Sequence, residues 1–188
     1  MARTLYYEIH IRPLFREIDR LHMLGIQPGL DLWSYESLAS VDDNTGELWR
    51  VRVLEEASAV SDPFRVMPPP DNSGPWPGEW LDLYKRWLDD GAKQLPRATA
   101  TTMKVTKQGA LYSLVVTGTK KGRDYMVWLD RVPGREVPPI FIVYEQPPEA
   151  GIPPTQATFN VSEFFEAKGA KTVQLIDAGG PHDVPIPP

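Results

Sequence analysis

The most regular pattern of apolar positions lies between Pro77 and Gly91. Proline is favoured in the first turn of a helix, and glycine is common just beyond its end. Between them, large apolar side chains recur with the i, i+3, i+4, i+7, i+8 spacing of one helical face: Trp80, Leu83, Tyr84, Trp87 and Leu88. The pattern predicts an amphipathic helix whose aromatic stripe packs into a hydrophobic core.

Weaker helical patterns precede this segment. After Pro13, apolar residues at three- and four-residue spacing predict a helix ending near Gly25, with one stripe formed by Leu14, Ile18, Leu21 and Leu24. Asp31 suits the N-cap of a second, short helix. Residues 47–57 fit a helix, which we favour, or a short strand over 48–53. In that helix the apolar positions in register are Leu48, Val51 and Leu54.

From Arg97 onward the pattern changes to β-prone runs separated by turn signals. The first run, residues 99–106, alternates only weakly. The other runs cover 111–119, 125–129, 140–144, 158–161 and 172–176. Six or seven short strands in the second half of a 188-residue chain are typical of an antiparallel β-sandwich of immunoglobulin-like type. The predicted fold class is therefore α+β, with helices first and strands second.

Charge supports a division into two domains. The first 95 residues carry 10 basic and 16 acidic side chains, whereas the remainder carries 10 and 9. Together with the change of pattern, this predicts a helical domain at 1–95 and a β-sandwich domain at 96–188. The net charge of −5 argues against a nucleic-acid partner, since such surfaces are usually basic.

Several other classes are excluded or disfavoured by composition. The chain has no cysteine, which excludes disulfides, thiol catalysis and thiolate metal sites. Its three histidines lack the close spacing of metal motifs, so we expect no metal. No apolar run approaches the roughly 20 residues that span a bilayer, and the N-terminus lacks the apolar core of a signal peptide. We therefore expect a soluble cytoplasmic protein without a membrane partner.

Three short motifs occur in a recognisable order in the first half. Ile11–Phe15 precedes Ile18-Asp19-Arg20-Leu21-His22, Met67 follows in a Met-Pro context, and Tyr84–Ala92 closes with Trp87 before Gly-Ala. Residues 8–93 thereby resemble a small c-type cytochrome domain of the kind found in multidomain bacterial proteins. In that family the central motif is Cys-x-x-Cys-His, so here both cysteines are replaced by aliphatic residues and only His22 remains.

The resemblance implies a cytochrome-c-like helical fold without covalent haem. We expect no cofactor, with Ile18 and Leu21 filling part of the space that haem takes in the family. The alternative is a non-covalent haem held by His22 and Met67, because His/Met ligation is a known arrangement.

The vacated haem cleft is the candidate pocket. Aromatic side chains would wall it, and a few polar groups would face it. The candidate residues are Glu17, His22, Trp33, Tyr35, Met67, Trp76, Trp80 and Trp87. Ordinary core packing also explains the aromatic residues. The adjacent carboxylates Asp42/Asp43, Glu55/Glu56 and Asp89/Asp90 are expected to be solvated, because neighbours on a helix do not face each other.

These features favour a non-catalytic interaction or accessory protein, whose partner is another protein or an apolar small molecule. The alternative is a cofactor-free small-molecule enzyme that uses the aromatic cleft, with Tyr35, His22 or Glu17 as its polar groups. Apolar pockets with few polar groups are typical of ligand sites. The sequence leaves open whether the protein is an enzyme.

Overall fold

The computed structural model describes residues 3–59, 74–149 and 155–188, and helices and strands are segregated along the chain. The chain divides into two compact units, Met1–Gln94 and Leu95–Pro188. The described helices all lie in the first unit and the described strands in the second. The fold is thus a mixed α+β fold, as predicted at that level.

Within residues 3–59 and 74–94, the helical unit contains four α-helices after two short irregular turns. A π-helical turn at Tyr7–Ile11 and a 3₁₀ turn at Arg12–Leu14 lead into the helices. The helices are α1 (Glu17–Ile26), α2 (Tyr35–Leu38), α3 (Trp49–Ser58) and α4 (Gly78–Asp89). The favoured helix over 47–57 is confirmed by α3.

Helix α4 confirms the strongest sequence pattern. Tyr84 and Trp87 are completely buried, and their rings meet edge to face with centroids 5.3 Å apart. The indole Nε1 of Trp87 donates to the carbonyl of Lys93 at 2.9 Å, so its polar atom is satisfied inside the core. Gly91 follows with a φ of 91°, a conformation that glycine adopts without strain. The aromatic stripe of α4 is therefore core.

Helix α1 buries a different face from the one that the apolar pattern predicted. Ile18 and Leu21 are 49% and 57% exposed, so neither belongs to the buried core. Asp19 and Arg20 are buried instead. The helix begins at Glu17, after the 3₁₀ turn that contains Pro13, and this places its buried face on the charged residues.

The buried charges of α1 are stable there because each has a partner. The Asp19 carboxylate accepts from the backbone N and the Nε of Arg16, at 3.2 and 2.9 Å. Arg20 donates through Nε and Nη2 to both oxygens of Asp31, at 2.6 and 2.8 Å, which raises the pKa of the guanidinium. Its guanidinium also lies 4.8 Å from the ring centroid of Trp33. Such paired geometry offsets desolvation and is invisible to a hydrophobic pattern.

The described part of the second unit contains seven strands in two sheets. They are β1 (Thr99–Gln108), β2 (Leu111–Lys120), β3 (Met126–Glu136), β4 (Pro139–Gln146), β5 (Ala157–Phe165), β6 (Thr172–Asp177) and β7 (Gly180–Pro185). One sheet has the order β1-β2-β5, and the other β3-β4-β6-β7. The β4–β6 pair is parallel, which corrects the expectation of a wholly antiparallel arrangement.

The two sheets share one hydrophobic core. Buried side chains from both contribute to it, and the rings of Phe141 in β4 and Phe165 in β5 lie 5.7 Å apart. Gly118 in β2 lies beneath the Phe159 ring, where an added Cβ would stand 2.7 Å from the ring and closer still to the Thr99 carbonyl oxygen. A glycine is therefore required at this point of the sheet.

Candidate functional site

A cavity of about 80 Å³ opens within the helical unit, between α1, α3 and the segment before α4. Its walls are mainly apolar, with a few charged groups among them. The lining residues are Phe15, Ile18, Asp19, His22, Met23, Leu30, Leu32, Trp49, Arg52, Val53, Glu56, Ala57 and Trp76.

Helix α3 supplies the largest share of the wall. Its lining residues follow the i, i+3, i+4, i+7, i+8 spacing of a single helical face: Trp49, Arg52, Val53, Glu56 and Ala57. This face differs from the predicted register, and Val51 of that register is 37% exposed. The spacing of these residues is that of one helical face, but two of the five positions carry charges, so the apolar pattern alone does not reveal this face.

Trp76 forms an aromatic wall of the cavity. Its ring lies 5.3 Å from that of Phe15 and 5.7 Å from that of Tyr84, measured between centroids. The side chain is 5% exposed. Its Nε1–H is buried and has no hydrogen-bond acceptor among the described residues. Since buried donors are normally paired, this indole nitrogen is a specific feature of the wall.

Arg52 is the positive group of the wall, and three carboxylates surround it. It donates through Nη2 to Glu56 Oε1 at 2.9 Å and through Nη1 to Glu55 Oε2 at 3.3 Å. Its Nε is buried without a hydrogen bond to any described residue, the Oδ2 of Asp42 lying 3.9 Å away. The group therefore contains two more carboxylates than cations, and its net charge is negative.

Asp42 corrects the prediction that the adjacent carboxylates are solvated. It is 3% exposed, while Asp43 is exposed. Its carboxylate accepts from the backbone N of Asn44 at 3.0 Å and from the hydroxyl of Thr45 at 3.0 Å. These hydrogen bonds, together with the Arg52 charge, lower the pKa of Asp42. The Asp-x-Asn-Thr sequence thus forms a local turn that orients the carboxylate towards α3.

The cavity brings together two members of the predicted site, His22 and Trp76. His22 is half-buried on α1. Met67 lies outside the described residues. The other candidates are absent from the described walls of the cavity: Glu17, Trp33, Tyr35, Trp80 and Trp87.

Each of these other candidates is accounted for elsewhere in the helical unit. Glu17 is exposed at the start of α1. The Tyr35 hydroxyl donates to the carbonyl of Ala92 at 3.0 Å, and the Trp33 Nε1 donates to the carbonyl of Phe15 at 2.8 Å. Trp80 packs edge to face on Trp76, and Trp87 is core.

Of the two residues considered as haem ligands, His22 lines the cavity and Met67 lies outside the described residues. The described walls therefore offer one imidazole, and no step is assigned to haem.

The second unit contains a carboxylate–histidine pair that the sequence pattern did not reveal. Asp177, 3% exposed at the end of β6, accepts from the backbone N of Ala100 and of Gly179, at 2.8 and 2.7 Å. Its Oδ1 also lies 2.9 Å from the Nε2 of His182. Burial opposes ionisation, but these hydrogen bonds and the nearby imidazole together lower the pKa of Asp177. The pair holds the β6–β7 turn against β1.

Comparison with known proteins gives no assignment: no family model, no curated protein and no solved structure matches the chain. Among the described residues, no cluster of three or more histidine, aspartate or glutamate side chains is arranged to hold a metal ion. None of the helices described here combines the length and the apolar character needed to cross a bilayer.

Proposed function

We propose that the protein is a non-catalytic binding protein whose helical unit takes up a small apolar molecule in the cavity between α1 and α3. The observation that carries this proposal is the cavity itself, about 80 Å³ in volume and walled mainly by apolar side chains. An engineered apolar cavity of about 150 Å³ binds benzene or xenon, so a cavity half that size accepts a smaller apolar body.

The polar groups support binding rather than catalysis. Of the three residues considered for acid or base chemistry, only His22 lies on the wall, while the Tyr35 hydroxyl is bonded to a carbonyl and Glu17 is exposed. Arg52 and Glu56 are bonded to each other. Acid–base catalysis needs polar groups that face the ligand and are not already hydrogen-bonded to other protein groups. The described walls offer few such groups.

We further propose that the helical unit is a cytochrome-c-like domain that no longer holds haem, and that the second unit is an immunoglobulin-like accessory sandwich. The order of the motifs from Ile11 to Ala92, and the position of His22 on the wall of the cavity, support the first idea. The seven described strands, which form two sheets with a shared core, support the second.

The binding proposal can be tested by NMR with cyclopentene as the probe. Met23 lines the cavity, so the methyl signal of Met23 in methionine-labelled protein should shift and saturate as cyclopentene is added. The signal is identified by its loss in Met23→Leu. The Ala57→Leu variant, which places three more carbon atoms in the cavity, should abolish the shift.

The matched control is Ala98→Leu. Ala98 is buried to the same degree as Ala57 but belongs to the core of the second unit. Binding should therefore persist in Ala98→Leu. The proposal fails if the Met23 signal does not saturate, or if Ala57→Leu binds cyclopentene as the unsubstituted protein does.

A further inference from the structure

We propose that the ligand of this cavity is a neutral molecule with a small apolar body and one carbonyl oxygen, such as a ketone, which accepts a hydrogen bond from Trp76. This inference rests on the proposed function, because it specifies the chemistry of a ligand for the same site. It follows from the donors, the charges and the size of the cavity.

Two hydrogen-bond donors of residues that line the cavity indicate a ligand with a hydrogen-bond acceptor. The Nε1–H of Trp76 and the Nε–H of Arg52 are both buried without a hydrogen bond to a described residue, and both side chains line the cavity. A buried donor without an acceptor destabilises a protein, whereas a ligand oxygen that pairs with it contributes to affinity. A pure hydrocarbon would leave both donors unpaired.

The surrounding charges exclude an anion as the preferred ligand. Asp19 and Glu56 line the cavity themselves, and Asp42 and Glu55 lie beside Arg52. A bound carboxylate would be placed among these acidic groups and would compete with Glu56 for the guanidinium. Like charges in a partly buried site repel strongly, so a neutral carbonyl fits the same donors better than a carboxylate.

The volume of the cavity limits the size of the apolar part of the ligand. By proportion to the cavity of about 150 Å³ that accommodates the six carbons of benzene, the enclosed part of the present one holds about three carbon atoms, and the rest of a five-membered ring would lie towards its open side. Cyclopentanone and cyclopentene form a suitable probe pair, because they have the same ring and differ in the carbonyl oxygen. Isobutyrate supplies an anion of similar size.

The test compares the two ring probes in three forms of the full chain. Dissociation constants are measured from the Met23 methyl signal in the unsubstituted protein, in Trp76→Phe and in Trp49→Phe. Trp49 also lines the cavity, but its indole nitrogen is not among the buried unpaired atoms, so it provides the matched control. The preference for cyclopentanone over cyclopentene should fall about fivefold or more in Trp76→Phe and stay unchanged in Trp49→Phe.

A second measurement uses the unsubstituted protein and therefore does not depend on whether a variant folds. In ¹⁵N-labelled protein, the indole N–H proton of Trp76 should move downfield when cyclopentanone is added and should not do so with cyclopentene. Isobutyrate should give no saturable shift at concentrations where cyclopentanone saturates.

The outcomes separate this inference from the proposed function. If cyclopentene and cyclopentanone both bind while the Trp76 proton stays in place and the preference is the same in Trp76→Phe, the carbonyl inference is overturned and the apolar site stands. If isobutyrate binds as tightly as cyclopentanone, the neutral character is overturned. If neither ring probe shifts the Met23 signal, the proposed function itself fails.

Discussion

Replacement of Ala57 by leucine should stabilise the helical unit, although enlarging a buried side chain usually has the opposite effect. Ala57 is 2% exposed and lies on α3 at the wall of the cavity. The three added carbon atoms would enter the cavity and leave water, at about 0.8 kcal/mol per buried methylene. The loss of rotamer freedom of leucine costs about 0.5–1 kcal/mol, so about 1.5 kcal/mol of stabilisation remains.

Urea unfolding followed by tryptophan fluorescence measures this effect. Five of the six tryptophans lie in the helical unit, so the signal reports mainly on that unit. The midpoint should rise in Ala57→Leu without a change in the slope of the transition, since the surface exposed on unfolding hardly changes.

The control for this prediction is Leu38→Phe. Leu38 is completely buried in the core of the same unit but does not belong to the described walls of the cavity. Enlarging it should destabilise the unit by about 1–3 kcal/mol, as overpacking generally does. The reasoning is refuted if Ala57→Leu destabilises the unit to a similar extent, because the space between α1 and α3 would then already be filled.

Three further predictions concern the two cores. Gly118→Ala should lower the free energy of unfolding of the second unit by about 1–3 kcal/mol in chemical denaturation, because its Cβ would meet Thr99 and Phe159; a gain, as β-propensity alone implies, would contradict the close approach. Asp31→Asn should destabilise the helical unit by about 2 kcal/mol in urea unfolding, since it removes the carboxylate that accepts two hydrogen bonds from the guanidinium of buried Arg20; an unchanged midpoint would refute the role of the pair. The lowered pKa of Asp177 contributes stability that is present above the ordinary aspartate pKa of about 3.9 and is lost as the pH falls through the folded value. Asp177→Asn should therefore be less stable than the unsubstituted protein at pH 7, and the difference should shrink below about pH 4; a constant difference across that range would contradict the linkage.

The sequence predicted the elements whose signal is local. Helix α4 has five apolar residues in perfect register between Pro77 and Gly91, and each of the six β-prone runs of the second half coincides with a strand. The parallel β4–β6 pair could not be predicted in this way, because Ile140–Ile142 pair with Gln174–Ile176 across a long stretch of chain. Such a pairing depends on tertiary contacts rather than on the pattern of either strand.

The candidate site was predicted less well, for an identifiable reason. Of the residues nominated from the sequence, His22 and Trp76 line the cavity. The faces of α1 and α3 that line it also carry Asp19, Arg52 and Glu56. Hydrophobic patterns assign charged residues to solvent. Here the charges are paired with Arg16, Asp42 and one another, and only the folded structure reveals these partners.

The most direct test of the central claim is a crystal structure of the full chain under xenon pressure. Xenon enters apolar cavities of this kind without needing a hydrogen bond. The account predicts a xenon atom among Met23, Val53, Ala57 and Trp76, and its loss in Ala57→Leu. A structure in which this space holds protein side chains and no xenon would contradict the account.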